Sequence, residues 1–147
     1  MDLQGIKGME QSFTVSKFKF MVLQLGIAKP LVASKNTFKN KNQNSGYSSE
    51  QAVIYLLKKQ GWLLEFQRLK TKIAEIDLVF SKENKILIIE VKRLNAEWRS
   101  FERIQVKQIQ KLQKNLIYLT YLIPSFQINA FVCWVDMKNK ISFVSLS

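Results

Sequence analysis

Apolar and polar positions along this chain follow two rhythms, and the switches between them mark out the elements. From Ser48 onward Ala52, Val53, Leu56 and Leu57 recur at helical spacing. Ahead of them Ser48-Ser49-Glu50-Gln51 reads as a capping box, with Ser48 as the cap and Gln51 reaching back from the third helical position. Gly61 follows as a stop, so the spacing predicts a helix over 48–60. Trp62 to Arg68 is strand-like, and Leu69 to Lys72 is a basic turn. Ile73 to Phe80 and Lys85 to Lys92 are two strands rich in Ile, Leu and Val, and the short polar Ser81 to Asn84 between them predicts a hairpin. Phe101 to Leu122 has the helical period again and is closed by Pro124. Ile128 to Val135 and Lys140 to Leu146 are further strands, joined by a turn near Met137 to Asn139. The order is αβββαβ plus one terminal strand. It predicts an α/β domain over 48–147, with a mixed central sheet flanked by helices.

Residues 1–47 differ in character. They hold seven lysines against Asp2 and Glu10, and they end in the Asn/Lys-rich run from Lys35 to Gly46, which is almost free of core-forming residues. That composition predicts a basic, flexible extension and linker. Within it, Phe13 to Ala33 has room for a short helix or strand, interrupted by Gly26 and Pro30.

Composition narrows the chemistry. A formal net charge of +12 on 147 residues attracts polyanions, which makes nucleic acid or an anionic membrane surface the natural partner. The chain has no histidine, which removes His-based general bases, His-ligated zinc and Ser-His-Asp triads. Its single cysteine, Cys133, permits no intrachain disulfide and no thiolate zinc cluster; inside Phe131-Val132-Cys133-Trp134-Val135 it reads as a small buried hydrophobe. Hydrolysis would have to come from carboxylates, lysines and a hard metal. No run is apolar for long enough to span a bilayer. Phe20 to Ala28 is too short, and Asn115 to Val135 is interrupted by Pro124, Gln127 and Asn129. The expected location is cytoplasmic.

Strand side chains alternate faces. Glu75 and Asp77 are therefore expected on one face, with Ile76, Leu78 and Phe80 on the other. In the partner strand Glu90 and Lys92 share a face, opposite Leu87, Ile89 and Val91. Lone charges in a sheet need compensation. A hard divalent cation supplies it, with Asp77, Glu90 and the backbone carbonyl of Val91 as ligands and Lys92 stabilising developing phosphate charge or orienting the attacking water. Glu50, in the first helical turn, is in reach through a water. The plainer alternative also stands. Glu90 and Lys92 would then be the solvated end of an edge strand, Asp77 would pair with Arg68 or Lys92, and Glu50 would merely suit the helix dipole.

Asp77 followed by Glu90-Val91-Lys92 resembles the Asp…(Asp/Glu)-X-Lys signature of the PD-(D/E)XK nuclease superfamily. More narrowly, residues 46–122 resemble the YraN-like family, which is grouped with endonucleases. The likeness is carried by Ser49-Glu50-Gln51-Ala52, Tyr55-Leu56, Gly61, Glu75-Ile76-Asp77-Leu78, Ile89-Glu90-Val91-Lys92, Lys107, Lys111-Leu112 and Tyr121-Leu122. It implies a restriction-endonuclease-like αβββαβ core. It also implies Asp77 and Glu90 as ligands for Mg²⁺ or Mn²⁺, Lys92 as the catalytic lysine and Glu50 as the helix acid. Glu75 matches a residue typical of the family and would be either a further ligand or a structural support. The sequence departs from the pattern at Ala74, often glycine in the family, and at Arg93-Leu94, where Thr-Arg is common.

A basic face accompanies these acids. Arg99, Arg103, Lys107 and Lys111 recur every four residues, so on a helix they form one slowly drifting stripe, apart from the core-facing arc of Ile109, Leu112, Leu116 and Leu119. With Arg93, and with Arg68, Lys70 and Lys72 as a second wall, the stripe is suited to a phosphate backbone, positioning it without reading its sequence. Trp98 and Phe101 read as core rather than as stacking platforms for bases. The leading expectation is a metal-dependent endonuclease on DNA, directed by structure such as branches or junctions, with a homodimer suggested by analogy to junction-cutting enzymes. The runner-up is a catalytically weak or inactive nucleic-acid-binding protein of the same fold. A third class, an adaptor at an anionic membrane or the ribosome, would place the function in the lysine-rich first 45 residues.

Overall fold

The computed structural model describes residues 15–28, 41–94 and 106–146. In chain order the elements are α1 (Lys17–Gln24), α2 (Lys41–Lys59), β1 (Leu63–Lys70), β2 (Glu75–Lys82), β3 (Lys85–Arg93), α3 (Val106–Leu122), β4 (Gln127–Val135) and β5 (Ile141–Ser145). The strands form one sheet in the order β1-β2-β3-β4-β5, antiparallel except for the β3–β4 pair. β3 and β4 are parallel because α3 carries the chain back over the sheet between them. This is the αβββαβ order expected of a restriction-endonuclease-like core, preceded by one more helix and followed by one more strand.

The sheet is covered on both faces. Phe18 and Val22 of α1 and Leu112 and Leu119 of α3 pack with Ile86, Ile88, Ala130 and Val132 on one side. Val53, Ile54 and Leu57 of α2 pack with Leu87, Ile89, Cys133 and Val135 on the other. β3 and β4 follow the two-residue alternation strictly, which is why each feeds both layers. Burial raises the Cys133 thiol to a pKa of about 12, as befits the small hydrophobe expected there.

Two expectations about the first 47 residues change. Phe18 and Val22 are 1% and 0% exposed, and Ile27 and Ala28 join the same cluster, so residues 17–28 belong to the core rather than to an extension. Phe18 meets Phe66 and Phe126 edge-on, and Ser16 caps α1 by accepting from the Lys19 amide at 3.0 Å. The linker reading also fails from Lys41, where α2 begins seven residues before the expected cap. Gly46 in a helix costs only about 1 kcal/mol relative to alanine, too little to end one. Ser49 accepts a hydrogen bond from Arg93 Nη1 at 3.1 Å, tying α2 to the end of β3. The predicted stop does hold: Gly61 takes φ +90° as α2 closes. α3 is seen from Val106; the expected start at Phe101 lies outside the described residues.

Strand alternation fails at two places. Between Leu64 and Phe66 the β1–β2 register shifts by one residue, so the sequence neighbours Glu65 and Phe66 are both buried. Arg68 then takes φ +56° at the position across from Asp77. Beyond it Ile76 packs in the α1/α3 layer, whereas Leu78 and Phe80 pack against α2, so the three do not share the face expected of them.

Candidate active site

The irregularity beside Arg68 sits where β2 and β3 part. Their ladder runs from Lys82↔Lys85 to Leu78↔Ile89, and the next residues are Asp77 and Glu90. There the Asp77 side chain takes over the acceptor role, its Oδ2 receiving the Val91 N–H at 2.8 Å. Glu90 lies beside it on the face toward α3. Lys92, two residues on, places Nζ 3.3 Å from Glu90 Oε1. The side chains of Lys92 and Glu90 are 28% and 19% exposed, which puts the pair at the edge of the interior.

The electrostatics of Glu90 follow from this packing. Its carboxyl is pushed up from 4.5 to about 7, first by burial, then by the charge of Asp77 and a hydrogen bond with it, against the opposing pull of Lys92. Two carboxyls within hydrogen-bonding reach therefore repel each other, and one nearby ammonium only partly compensates. An arrangement that disfavours its own second negative charge suits a cation.

Asp77 and Glu90 line a cleft of about 240 Å³. Ala74 and Glu75 complete its sheet wall, and Gln108, Lys111 and Leu112 of α3 form the opposite wall. The donor set fits a hard divalent ion, which takes one or two carboxylates and keeps several waters. Among the described residues, no group of three or more acids, histidines or cysteines suited to a metal is present. Glu75 borders the cleft but is exposed to solvent.

The other expected residues divide. Lys111 faces the acids across the cleft, and Lys107 is exposed on the same helix. Glu50 is buried on α2, whose helix packs on the opposite side of the sheet from α3, and it is absent from the described lining of the cleft. Arg93 is engaged with Ser49. Arg68 and Lys70 are exposed, and Lys72 Nζ lies 5.0 Å from the Tyr118 ring centroid. Arg99 and Arg103 lie outside the described residues, as do Trp98 and Phe101. The plainer pairing of Asp77 with Arg68 or Lys92 is not seen among the described residues, where the recorded ion pair is Lys92–Glu90. A larger hollow of about 630 Å³ between α2 and the β4–β5 turn has neither acid nor lysine in its described lining.

Sequence reasoning missed Gln108, Asn115 and Thr71. Asn115 is 1% exposed on the core-facing side of α3 and binds the β1–β2 turn. The signal was present: an amide three residues after Leu112 and four before Leu119, in an otherwise apolar arc. Gln108 carries a weaker one, three residues before Lys111.

Comparison with known proteins adds the following. A family profile described as "Uncharacterised protein family UPF0102" matches residues 49–137, from α2 through β4 and including every acid of the cleft. A UPF0102 protein of Roseobacter denitrificans is 35% identical over 77 residues, covering 52% of this chain and 56% of that protein. One of Prochlorococcus marinus (strain MIT 9313) is 43% identical over 47 residues, covering 32% and 37%. One of Desulfosudis oleivorans is 26% identical over 91 residues, covering 62% and 74%. The match to the first two thus spans about half or less of their length. With the profile covering more than half of the chain and the whole acid cleft, the chain belongs to UPF0102, the YraN-like family.

Proposed function

We propose that this protein is a metal-dependent nuclease that hydrolyses phosphodiester bonds in DNA, acting in the cytoplasm on branched or junction forms. The observation that carries the reading is the juxtaposition of Asp77 and Glu90 where β2 and β3 part, with Lys92 beside Glu90 and Lys111 across the cleft. Asp77 and Glu90, with the backbone carbonyl of Val91, would hold Mg²⁺ or Mn²⁺. Bound there, the ion would neutralise charge on the scissile phosphate and make an attacking water more acidic.

The remaining work falls to the chain's own groups. The Val91 N–H fixes the Asp77 carboxylate in one orientation. Lys92 Nζ, 3.3 Å from Glu90, favours the ionised carboxyl and stands ready to meet charge that develops on the phosphate. Lys111, with the exposed Lys107 on the same helix, attracts the phosphate backbone toward the cleft. Such contacts position a duplex without reading bases, which is why shape rather than sequence is proposed as the determinant. A homodimer would present two clefts to a branched substrate, and light scattering on the purified protein would show it.

The test is cleavage of single-stranded, duplex, flapped and four-way-junction DNA with Mg²⁺, Mn²⁺ or EDTA. Wild type would run beside Asp77→Ala and Lys92→Ala. Metal-dependent cleavage lost in both variants is the expected result. Binding without cleavage, equal in all three proteins, would instead make the chain a nucleic-acid-binding protein that keeps the fold.

A further inference from the structure

The amide of Asn115 is hydrogen-bonded through both its oxygen and its nitrogen to one short turn. Its Oδ1 accepts from Thr71 Oγ1 at 2.6 Å, and its Nδ2 donates to the Ala74 carbonyl at 3.2 Å. Thr71 Oγ1 in turn accepts from the amides of Ile73 and Ala74, at 3.1 and 3.3 Å. The whole β1–β2 connection is therefore gathered around two polar side chains, and Asn115 ties it to α3.

This cluster does not follow from the needs of the core. Asn115 is 1% exposed between Leu112 and Leu119, where an apolar side chain of similar size would pack without any polar obligation. A buried amide hydrogen-bonded through both its oxygen and its nitrogen favours one arrangement of the groups it joins. Here those groups are the two walls of the cleft. Ala74 is itself wall, with Glu75 and Asp77 directly after it, and Gln108 and Lys111 lie seven and four residues before Asn115 on the same face of α3.

We infer that Thr71 and Asn115 form a positioning clamp that fixes the separation of the two walls, and with it the placement of Asp77 against Glu90. The clamp sets the metal affinity of the site without touching the ion. This rests on the metal-dependent reading of the cleft. Groups that orient metal-binding side chains from behind affect affinity by roughly 10- to 100-fold when removed.

The test compares Asn115→Leu, Thr71→Val and Thr71→Ser in the full chain by two measurements. One is Mn²⁺ affinity by calorimetry. The other is hydrogen exchange at the Val91 amide, which reports Asp77 directly because it donates to Oδ2. Ile88, deep in the β2–β3 ladder, serves as the internal reference. Asn115→Leu and Thr71→Val are expected to lose Val91 protection while Ile88 keeps its own, and to bind Mn²⁺ roughly 10- to 100-fold more weakly. Thr71→Ser, which keeps the hydroxyl, should restore both. Should Asn115→Leu fail to fold, the valine and serine variants at Thr71 carry the comparison. Unchanged Val91 exchange with only a lower melting temperature would overturn the clamp and leave an ordinary structural strut. If wild type binds no Mn²⁺, the metal reading falls, and the Val91 amide alone then decides the clamp.

Discussion

Glu90→Gln should make the metal-free protein more stable at neutral pH, although it removes a proposed ligand. In the folded chain the Glu90 carboxyl titrates near 7, against an ordinary 4.5 that the unfolded chain would show. Below about pH 4.5 both states hold the proton, and the residue adds no pH-dependent cost. Between 4.5 and 7 the folded chain keeps a proton that the unfolded chain has lost, so stability falls as pH rises. Above 7 the folded chain carries the full cost of an ionised carboxylate beside Asp77. At about 1.4 kcal/mol per pKa unit, that cost is about 3 kcal/mol. The side chain is only 19% exposed, so solvent screening trims this figure without removing it.

Glutamine keeps the shape and can donate to Asp77, but it carries no charge. Urea unfolding of both proteins in EDTA, from pH 4 to 8.5, measures the difference. The two are expected to agree near pH 4 and to diverge by up to about 3 kcal/mol above pH 7, the variant being the more stable. Adding Mn²⁺ at pH 8 should then raise wild type, by about 2.7 kcal/mol at a hundredfold excess over the dissociation constant, and leave the variant where it was. Two stabilities that run parallel across the whole pH range would refute the reasoning, because Glu90 would then feel neither burial nor Asp77 as the geometry requires.

Two further outcomes are expected. Lys111→Ala should reduce DNA cleavage and lower the salt slope of DNA binding by about 0.9, the contribution of one phosphate contact, whereas Lys114→Ala should leave cleavage intact. Equal losses of cleavage would show that α3 acts only through its summed charge. Phe18→Ala should cost about 3–5 kcal/mol in urea unfolding, since the ring is 1% exposed between Phe66 and Phe126. A loss below about 1 kcal/mol, the scale of a surface change, would mean that α1 is not part of the core.

The elements with a strict period were legible in the sequence. Val53, Leu57, Ile88, Ile89 and Leu119 all face the interior as their spacing predicts, and the β2–β3 hairpin and Gly61 stop fall where expected. That Asp77, Glu90 and Lys92 would be neighbours was legible, because one hairpin joins the strands that carry them. What stayed hidden depends on contacts between distant segments. Phe18 and Val22 stand in a lysine-rich stretch whose composition reads as solvated, and only Phe66 and Phe126 make them core. Ser48 looks like a cap, but α2 runs on through it back to Lys41. Glu50 matches the family pattern, yet its neighbours in space are set by which face of the sheet α2 covers. No local pattern encodes that choice.

The two failures of alternation have something in common: each accompanies a carboxylate that the regular sheet would not have placed. The β1 bulge turns Glu65 inward beside Phe66. There it accepts from Ser16 at 2.7 Å and from Ser81 at 2.6 Å, joining the cap of α1 to β2. At Arg68 the strained φ of +56° lies across from Asp77, and Ile76 moves to the α1/α3 layer. A regular ladder would pair the Val91 amide with a backbone carbonyl. Because the strands part after Leu78↔Ile89, a side chain makes that bond instead, and Asp77 and Glu90 are left side by side on the sheet wall of the cleft. A bulged strand and a residue at positive φ cost stability that an ordinary sheet would not give up. That cost falls on β1, the neighbour of the strand that carries Asp77, and β1 leads into the turn that a buried amide ties to α3. The bulge at Glu65 thus anchors α1 to the sheet, and the break at Arg68 stands where β2 and β3 part to expose the candidate site.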